Sequence, residues 1–135
     1  MDDFVFHHVG IAVRDLPSAS ESMQKLFGYG VSSGPFDDPV QRVSVCFLTR
    51  GGDDAVLELV APLGPDSPIT RTLEKGGGTY HVCYEVADIK TAVEHMKAEG
   101  CLLLGDPVPA VAFEMRQIAW LMTPARLLVE LVQAG

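Results

Sequence analysis

Hydrophobic and polar positions follow the same pattern in two separate parts of the chain. One part begins at His8 and the other at His81, and the matching Val, Asp, Ala, Glu and Met positions that follow are offset by 73 residues without a gap. Alternation at the start of each part predicts a half-buried strand, and an Asp before helical spacing predicts a capped helix. Each part is therefore predicted to open with a strand followed by a helix.

The ends of the two parts match as well. Residues 57–60 read Leu-Glu-Leu-Val and residues 129–132 read Val-Glu-Leu-Val, so both apolar strands carry one glutamate. The separation between the histidine and this glutamate is 50 residues in the first part and 49 in the second. Matching intervals of this length indicate an internal repeat. We interpret the chain as a single domain, 1–135, in which two copies of one module, 4–63 and 79–134, flank a linker helix at about 66–75.

Both modules are predicted to have the order β-α-β-β-β. The first has an expected helix at 19–27, strands at 41–49 and 55–61, and, because of its Gly, Pro and Asp residues, a loop at 31–39. The second has an expected helix at 88–99 and strands near 102–104, 116–122 and 127–133. The expected fold class is α+β, with two curved sheets that form a half-closed barrel around a cleft.

Alternation along the strands also sorts their side chains by face. Val9 and Val13 share one face of the first strand, which must pack under a helix. The polar residues then lie on the opposite, concave faces. A carboxylate in an otherwise apolar strand is costly unless it is paired or coordinated. The residues predicted to share the concave side are His8, Glu58, His81 and Glu130.

Two histidines and two glutamates at repeated positions meet the needs of one divalent metal ion. Imidazole suits Zn, Co, Ni or Fe, and carboxylates tolerate Mn. Taken alone, a strand histidine is more often a structural or surface residue, and a strand glutamate more often lies on a solvated face. The repeat favours the metal site over these alternatives because both residues recur at matching positions.

Composition and charge narrow the function further. The formal net charge is −8, and basic residues are few and scattered, which argues against a nucleic-acid surface or an anionic membrane surface as partner. No apolar run is long enough to span a membrane, and the first residues lack the pattern of a signal segment. Three widely spaced cysteines favour reduced thiols, so we expect a cytoplasmic protein.

These motifs resemble the vicinal-oxygen-chelate superfamily, which includes glyoxalases, bleomycin-resistance proteins and dioxygenases. The closest likeness is to methylmalonyl-CoA epimerases, and the Asp-Ser-Pro-Ile segment at 66–69 is the part specific to them. The resemblance implies His8, Glu58, His81 and Glu130 as metal ligands, a paired β-α-β-β-β fold and, in many members, a homodimer. The residues that carry it lie at 7–16, 57–69, 80–89 and 128–131.

Other positions bear on the substrate. Epimerases carry a Gly-rich segment before the penultimate strand, where this chain has Pro-Ala-Val-Ala-Phe-Glu-Met-Arg at 109–116. Apolar residues are expected to line the cleft, using either the face with Ile118, Trp120 and Met122 or the alternate face of that strand. Glu114 or Gln41 is a candidate for an assisting role. The residues predicted to line the substrate site are Val45, Phe47, Trp120, Met122 and Glu114.

The function predicted from this set is metal-dependent proton transfer at a carbon next to a carbonyl, as in an epimerase or isomerase. Glu58 or Glu130 is the candidate base, and the substrate is a small molecule such as an acyl-CoA. Three alternatives stay open: a glyoxalase I-like lyase, an Fe(II) extradiol-type dioxygenase that uses His8, His81 and Glu130, and a non-catalytic binding or resistance protein.

Overall fold

The computed structural model describes residues 3–135, which contain nine strands and three α-helices. The first five elements are β1 (Phe4–Ala12), α1 (Leu16–Phe27), β2 (Gly30–Asp38), β3 (Val43–Thr49) and β4 (Val56–Pro62). After α2 (Ile69–Glu74), the chain continues through β5 (Gly78–Val86), α3 (Ile89–Ala98), β6 (Leu102–Leu103), β7 (Val108–Ala110), a 3₁₀ turn (Val111–Phe113), β8 (Arg116–Met122) and β9 (Leu128–Gln133).

The chain divides into two compact units, His8–Tyr80 and, together with residues 3–7, His81–Gly135. The unit His8–Tyr80 contains the predicted β-α-β-β-β order, and the other unit has this order with its second strand divided into β6 and β7, so the α+β class is confirmed. The linker helix predicted near 66–75 is the shorter α2. That residues 1–135 make one domain, with repeat boundaries at 4–63 and 79–134, stays a prediction.

In the unit His8–Tyr80, the strand order is β2-β3-β4-β1, and β1 runs parallel to β4. Helix α1 begins after Asp15, whose carboxylate accepts a hydrogen bond from the Ser18 amide at 2.8 Å. It ends at Gly28, whose φ of 80° favours glycine. Between this helix and the sheet lies a core that includes Leu48 and Leu59. One face of the sheet is therefore covered by α1.

In the other unit, the order is β5-β9-β8-β6, with β7 also pairing with β8, and β5 runs parallel to β9. Helix α3 packs on this sheet through Ile89, Val93 and their neighbours, over a core that contains Leu121 and Leu131. The amide of Ile89 donates a hydrogen bond at 2.8 Å to the Gln133 side chain, which ties the start of the helix to the last strand.

The loop predicted at 31–39 is wrong, because this segment is the edge strand β2. Its Gly and Pro residues are accommodated because β2 pairs on one side only, with β3, and its register shifts between Val31 and Ser33 and between Ser33 and Phe36. The counterpart in the other unit is divided. There β6 and β7 pair with opposite ends of β8, and the break between them contains Gly105, with φ 136°, and Pro107.

Among the described residues, no helix combines the length and the apolar character that a membrane crossing requires.

The core beneath α3 leads to a prediction about stability. Leu131 is 0% exposed between α3 and its sheet, whereas Leu102 on the edge strand β6 is 64% exposed. Leu131→Ala is expected to lower the free energy of unfolding by about 2–5 kcal/mol, since it removes buried methyl groups and leaves a cavity. Leu102→Ala is expected to change it by less than about 0.5 kcal/mol. Urea unfolding followed by circular dichroism measures both, and equal losses would contradict this core assignment.

Candidate metal centre

His8 and Glu58 form a buried pair within the unit His8–Tyr80. The Nε2 atom of His8 lies 3.3 Å from Oε1 of Glu58, and the two residues are 0% and 5% exposed. Gly10 on β1 is the register partner of Glu58 on the parallel strand β4. His8 precedes Gly10 by two residues, and its side chain extends to the Glu58 carboxylate. Gly10 has no side chain, so the residue opposite Glu58 on the parallel strand is the smallest one possible.

His81 and Glu130 form the equivalent pair in the other unit. The Nε2–Oε1 distance is again 3.3 Å, and the residues are 2% and 3% exposed. Cys83 on β5 stands opposite Glu130 on β9, as Gly10 stands opposite Glu58. A small residue therefore faces the glutamate in both units, a feature that sequence reasoning missed although the repeat places both residues two positions after the histidine.

The donor set fits a divalent metal ion. Each pair offers one imidazole nitrogen and one carboxylate oxygen, the ligands that Zn, Co, Ni, Mn and Fe accept in proteins. Burial makes a carboxylate in an apolar strand costly, and coordination or pairing with an imidazole offsets that cost. His8 and Glu58 are such a donor pair in the unit His8–Tyr80, and His81 and Glu130 are one in the other unit.

The aromatic residues predicted near the site lie on the expected faces. Phe47 of β3 contacts the His8 ring, and Trp120 of β8 contacts the His81 ring. Leu121 packs under α3, so Trp120 lies on the other face of β8 together with Ile118 and Met122. Val45 shares the face of Phe47 by the same alternation. Their role as substrate-lining residues stays a prediction.

The segment at 109–116 adopts an unusual backbone. Glu114 and Met115, which follow the 3₁₀ turn, have φ angles of 56° and 66°. Non-glycine residues rarely adopt this left-handed region because Cβ crowds the following carbonyl oxygen. In this turn, two non-glycine residues therefore have backbone angles that are more common for glycine. Glu114 is exposed, and its predicted substrate contact stays a prediction.

A cavity of about 480 Å³ lies in the unit His8–Tyr80, beside the start of α1, and sequence reasoning did not anticipate it. None of the four residues His8, Glu58, His81 and Glu130 lines it. Ser20 and Cys46, two of its lining residues, are joined by an Oγ–Sγ hydrogen bond of 3.7 Å. The lining residues are Arg14, Asp15, Leu16, Pro17, Ser20, Val31, Pro35, Asp37, Ser44, Cys46, Ala61 and Pro62.

Comparison with known proteins identifies the family. Residues 7–120 match the model of the Glyoxalase/Bleomycin resistance protein/Dioxygenase superfamily, which covers most of the chain and both buried histidines. The chain belongs to this superfamily. The resemblance inferred from the repeated His and Glu motifs is therefore confirmed.

Within this superfamily, several of the similar proteins are epimerases. The chain is 38% identical over 117 residues to an ethylmalonyl-CoA/methylmalonyl-CoA epimerase of Cereibacter sphaeroides, with 85% of each chain covered. It is 39% identical to the human mitochondrial methylmalonyl-CoA epimerase over 76% of this chain and 57% of that one.

Solved structures of epimerases are also similar to this chain. Methylmalonyl-CoA epimerase from Mycobacterium tuberculosis superposes with a TM-score of 0.85 at 26% identity, over 97% of this chain and 88% of that one. A methylmalonyl-CoA epimerase in complex with methylmalonyl-CoA and NH4+ superposes with a TM-score of 0.80 at 25% identity, over 98% and 95%.

The site's surroundings predict unequal thiol reactivity. Burial raises the pKa of the Cys46 thiol, the Glu58 charge also raises it, and the hydrogen bond with Ser20 acts in the opposite direction. A raised pKa leaves less of the reactive thiolate at neutral pH. Cys83 is also buried, whereas Cys101 is half-buried. Titration of the folded protein with a chromogenic disulfide is expected to show one faster thiol and two that react only after unfolding.

Two variants assign these phases. Cys101→Ser is expected to remove the faster phase, and Cys46→Ser is expected to leave it unchanged. Loss of the faster phase in Cys46→Ser would contradict the burial of that thiol.

Proposed function

We propose that the chain is a metal-dependent epimerase that inverts the carbon next to the thioester carbonyl of an acyl-CoA. The observation that carries the proposal is the buried His–Glu pair that recurs at equivalent strand positions in both units. The chain is similar to an ethylmalonyl-CoA/methylmalonyl-CoA epimerase over 85% of both chains. This similarity favours epimerisation over the other reactions of the superfamily. The relevant substrates are therefore acyl-CoA esters with an acidic hydrogen beside the carbonyl.

In this proposal, His8, Glu58, His81 and Glu130 hold one divalent ion, which is Co, Ni, Zn, Mn or Fe. When bound, the ion supplies Lewis-acid polarisation of the substrate carbonyl, which makes the adjacent carbon more acidic. Each unit contributes one nitrogen and one oxygen, so the two units share the binding of the ion. With these four protein ligands, the ion would still have coordination positions for substrate oxygens.

Glu58 and Glu130 are the proposed proton-transfer groups. Epimerisation requires that a proton leave one face of the carbon and that another arrive on the opposite face. One carboxylate accepts the proton from the substrate carbon, and the other, in its acid form, donates a proton to the opposite face. The first group then loses its proton to water and the second regains one, which resets the site.

The apolar residues near each pair have a separate role in this proposal. Val45 and Phe47 are buried on β3, where Phe47 pairs with Glu58, and Trp120 and Met122 lie on β8 in the other unit. Such side chains exclude water, which strengthens the interaction of a charged site with the substrate oxygens. Glu114, in the exposed turn, is proposed to contact the part of the substrate that extends toward solvent.

A glyoxalase I-like lyase is the second candidate, because the same two nitrogens and two carboxylate oxygens serve that reaction. A dioxygenase is less favoured, since Glu58 pairs with His8 and adds a fourth protein ligand. A binding or resistance protein without metal is also less favoured, because it would not need a buried His–Glu pair in each unit. The implied homodimer and the cytoplasmic location stay predictions, and analytical ultracentrifugation tests the first of them.

Metal binding is the first test of the proposal. Metal-free protein is expected to take up one Co²⁺ per chain, and at about 100 times the dissociation constant the folded state gains about 2.7 kcal/mol. His8→Ala is expected to lose this stabilisation. His95→Ala is the control, because His95 lies on α3 and its ring contacts that of Phe4, with a centroid distance of 5.9 Å. Thermal unfolding with and without Co²⁺ measures the effect, and equal shifts in both variants would remove the proposed ligand.

Solvent exchange tests the two bases separately. Wild-type protein in D₂O is expected to epimerise methylmalonyl-CoA and to introduce deuterium at the acidic carbon. Glu58→Gln and Glu130→Gln keep a ligand oxygen but cannot accept a proton, so each is expected to slow epimerisation by at least ~100-fold. Each variant is expected to retain exchange with one epimer only, and the two variants with opposite epimers.

The control for this experiment is Glu94→Gln, on the exposed side of α3. It is expected to keep the wild-type rate. Full epimerisation by either of the other variants would exclude that glutamate as a base, and conversion of a hemithioacetal without acyl-CoA epimerisation would favour the lyase.

A further inference from the structure

An aromatic ring lies against the His–Glu pair of the unit His8–Tyr80. Phe47 on β3 is the antiparallel register partner of Glu58 on β4. Its ring centroid is 5.5 Å from that of His8, with an angle of 66° between the ring planes. The imidazole therefore has the carboxylate on one side and the edge or face of a buried aromatic ring on another.

The other unit has the same arrangement with a different ring. Trp120 on β8 is the antiparallel register partner of Glu130 on β9. Its ring centroid is 4.8 Å from that of His81, and the planes are nearly perpendicular at 87°. The residue type differs between the units, but the strand position, the contact and the T-shaped geometry are the same.

We propose that Phe47 and Trp120 are positioning residues that hold the imidazoles of His8 and His81 in the orientation required by the metal ion. The inference rests on the proposed metal-dependent function and adds a role to two residues that were predicted only to line the substrate site. An imidazole binds a metal along one lone-pair direction, so rotation about its Cβ–Cγ bond misdirects the nitrogen. A T-shaped contact at these distances favours one ring orientation.

Supporting side chains around a metal ligand commonly change metal affinity by 10–100-fold, about the size expected here. A small residue faces each glutamate on the parallel strand, at Gly10 and Cys83, so the aromatic residue on the antiparallel strand is the large neighbour on this face. Each imidazole is therefore in contact with both a carboxylate and an aromatic ring.

The sequence provides a direct reporter for this geometry. Trp120 is the single tryptophan of the chain, so the intrinsic emission comes from the ring that contacts His81. Co²⁺ quenches indole emission at short range. Titration of the metal-free wild-type protein with Co²⁺ is expected to reduce the emission and to saturate at one equivalent per chain.

Substitutions separate aromatic contact from simple bulk. Trp120→Leu and Phe47→Leu are each expected to weaken Co²⁺ binding about 10-fold in competition with a chromogenic chelator, and to alter the visible spectrum of the bound Co²⁺. Trp120→Phe, which keeps an aromatic ring, is expected to bind Co²⁺ with wild-type affinity. The double variant Phe47→Trp with Trp120→Phe moves the reporter beside His8, and its emission is expected to be quenched by the same single equivalent.

Outcomes distinguish this inference from the proposed function. If the wild-type protein binds one Co²⁺ and epimerises acyl-CoA, but the leucine variants keep wild-type affinity and spectrum, the positioning role is wrong and the epimerase proposal stands. If the wild-type protein binds no Co²⁺, both are wrong. Unfolding curves show whether the leucine variants fold. If they do not, the quenching of wild-type emission and the affinity of Trp120→Phe decide the inference, and absence of quenching overturns it.

Discussion

A carboxylate in the middle of an apolar strand is the constraint from which the rest of the structure follows. Glu58 and Glu130 are 5% and 3% exposed, and a charge so far from water requires a compensating group. In each unit, the parallel neighbour supplies an imidazole at 3.3 Å, and the antiparallel neighbour supplies an aromatic ring. The helices cover the opposite faces, so that each sheet has one aliphatic side and one side with buried polar groups.

Much of this arrangement was readable from periodicity. The repeat predicted both β-α-β-β-β modules, and strand alternation correctly separated His8 and Glu58 from the aliphatic residues that pack under α1. These inferences succeeded because a strand's two-residue period and a repeated interval are properties of the sequence itself. The sharing of one ion by both pairs was a prediction of the same reasoning and stays one.

The features that were missed depend on neighbours that are distant in sequence. Segment 31–39 has the composition of a loop, and it is a strand because β3 offers an unpaired edge. The positive φ angles of Glu114 and Met115 have no local signal, since no glycine marks that turn. The cavity beside α1 arises from how the helix start meets the sheet, a packing outcome that hydrophobic pattern does not encode.

The parallel pairing of the first and last strands in each module has a consequence for synthesis. Because β1 pairs with β4, and β5 with β9, a histidine meets its glutamate only after about fifty residues have formed a helix and two strands in the first unit, or a helix and three strands in the second. Closing so long a loop has an entropic cost, and such non-local strand pairing is expected to form late in folding. A nascent chain that has left the ribosome only as far as β3 therefore holds an imidazole without its acidic partner.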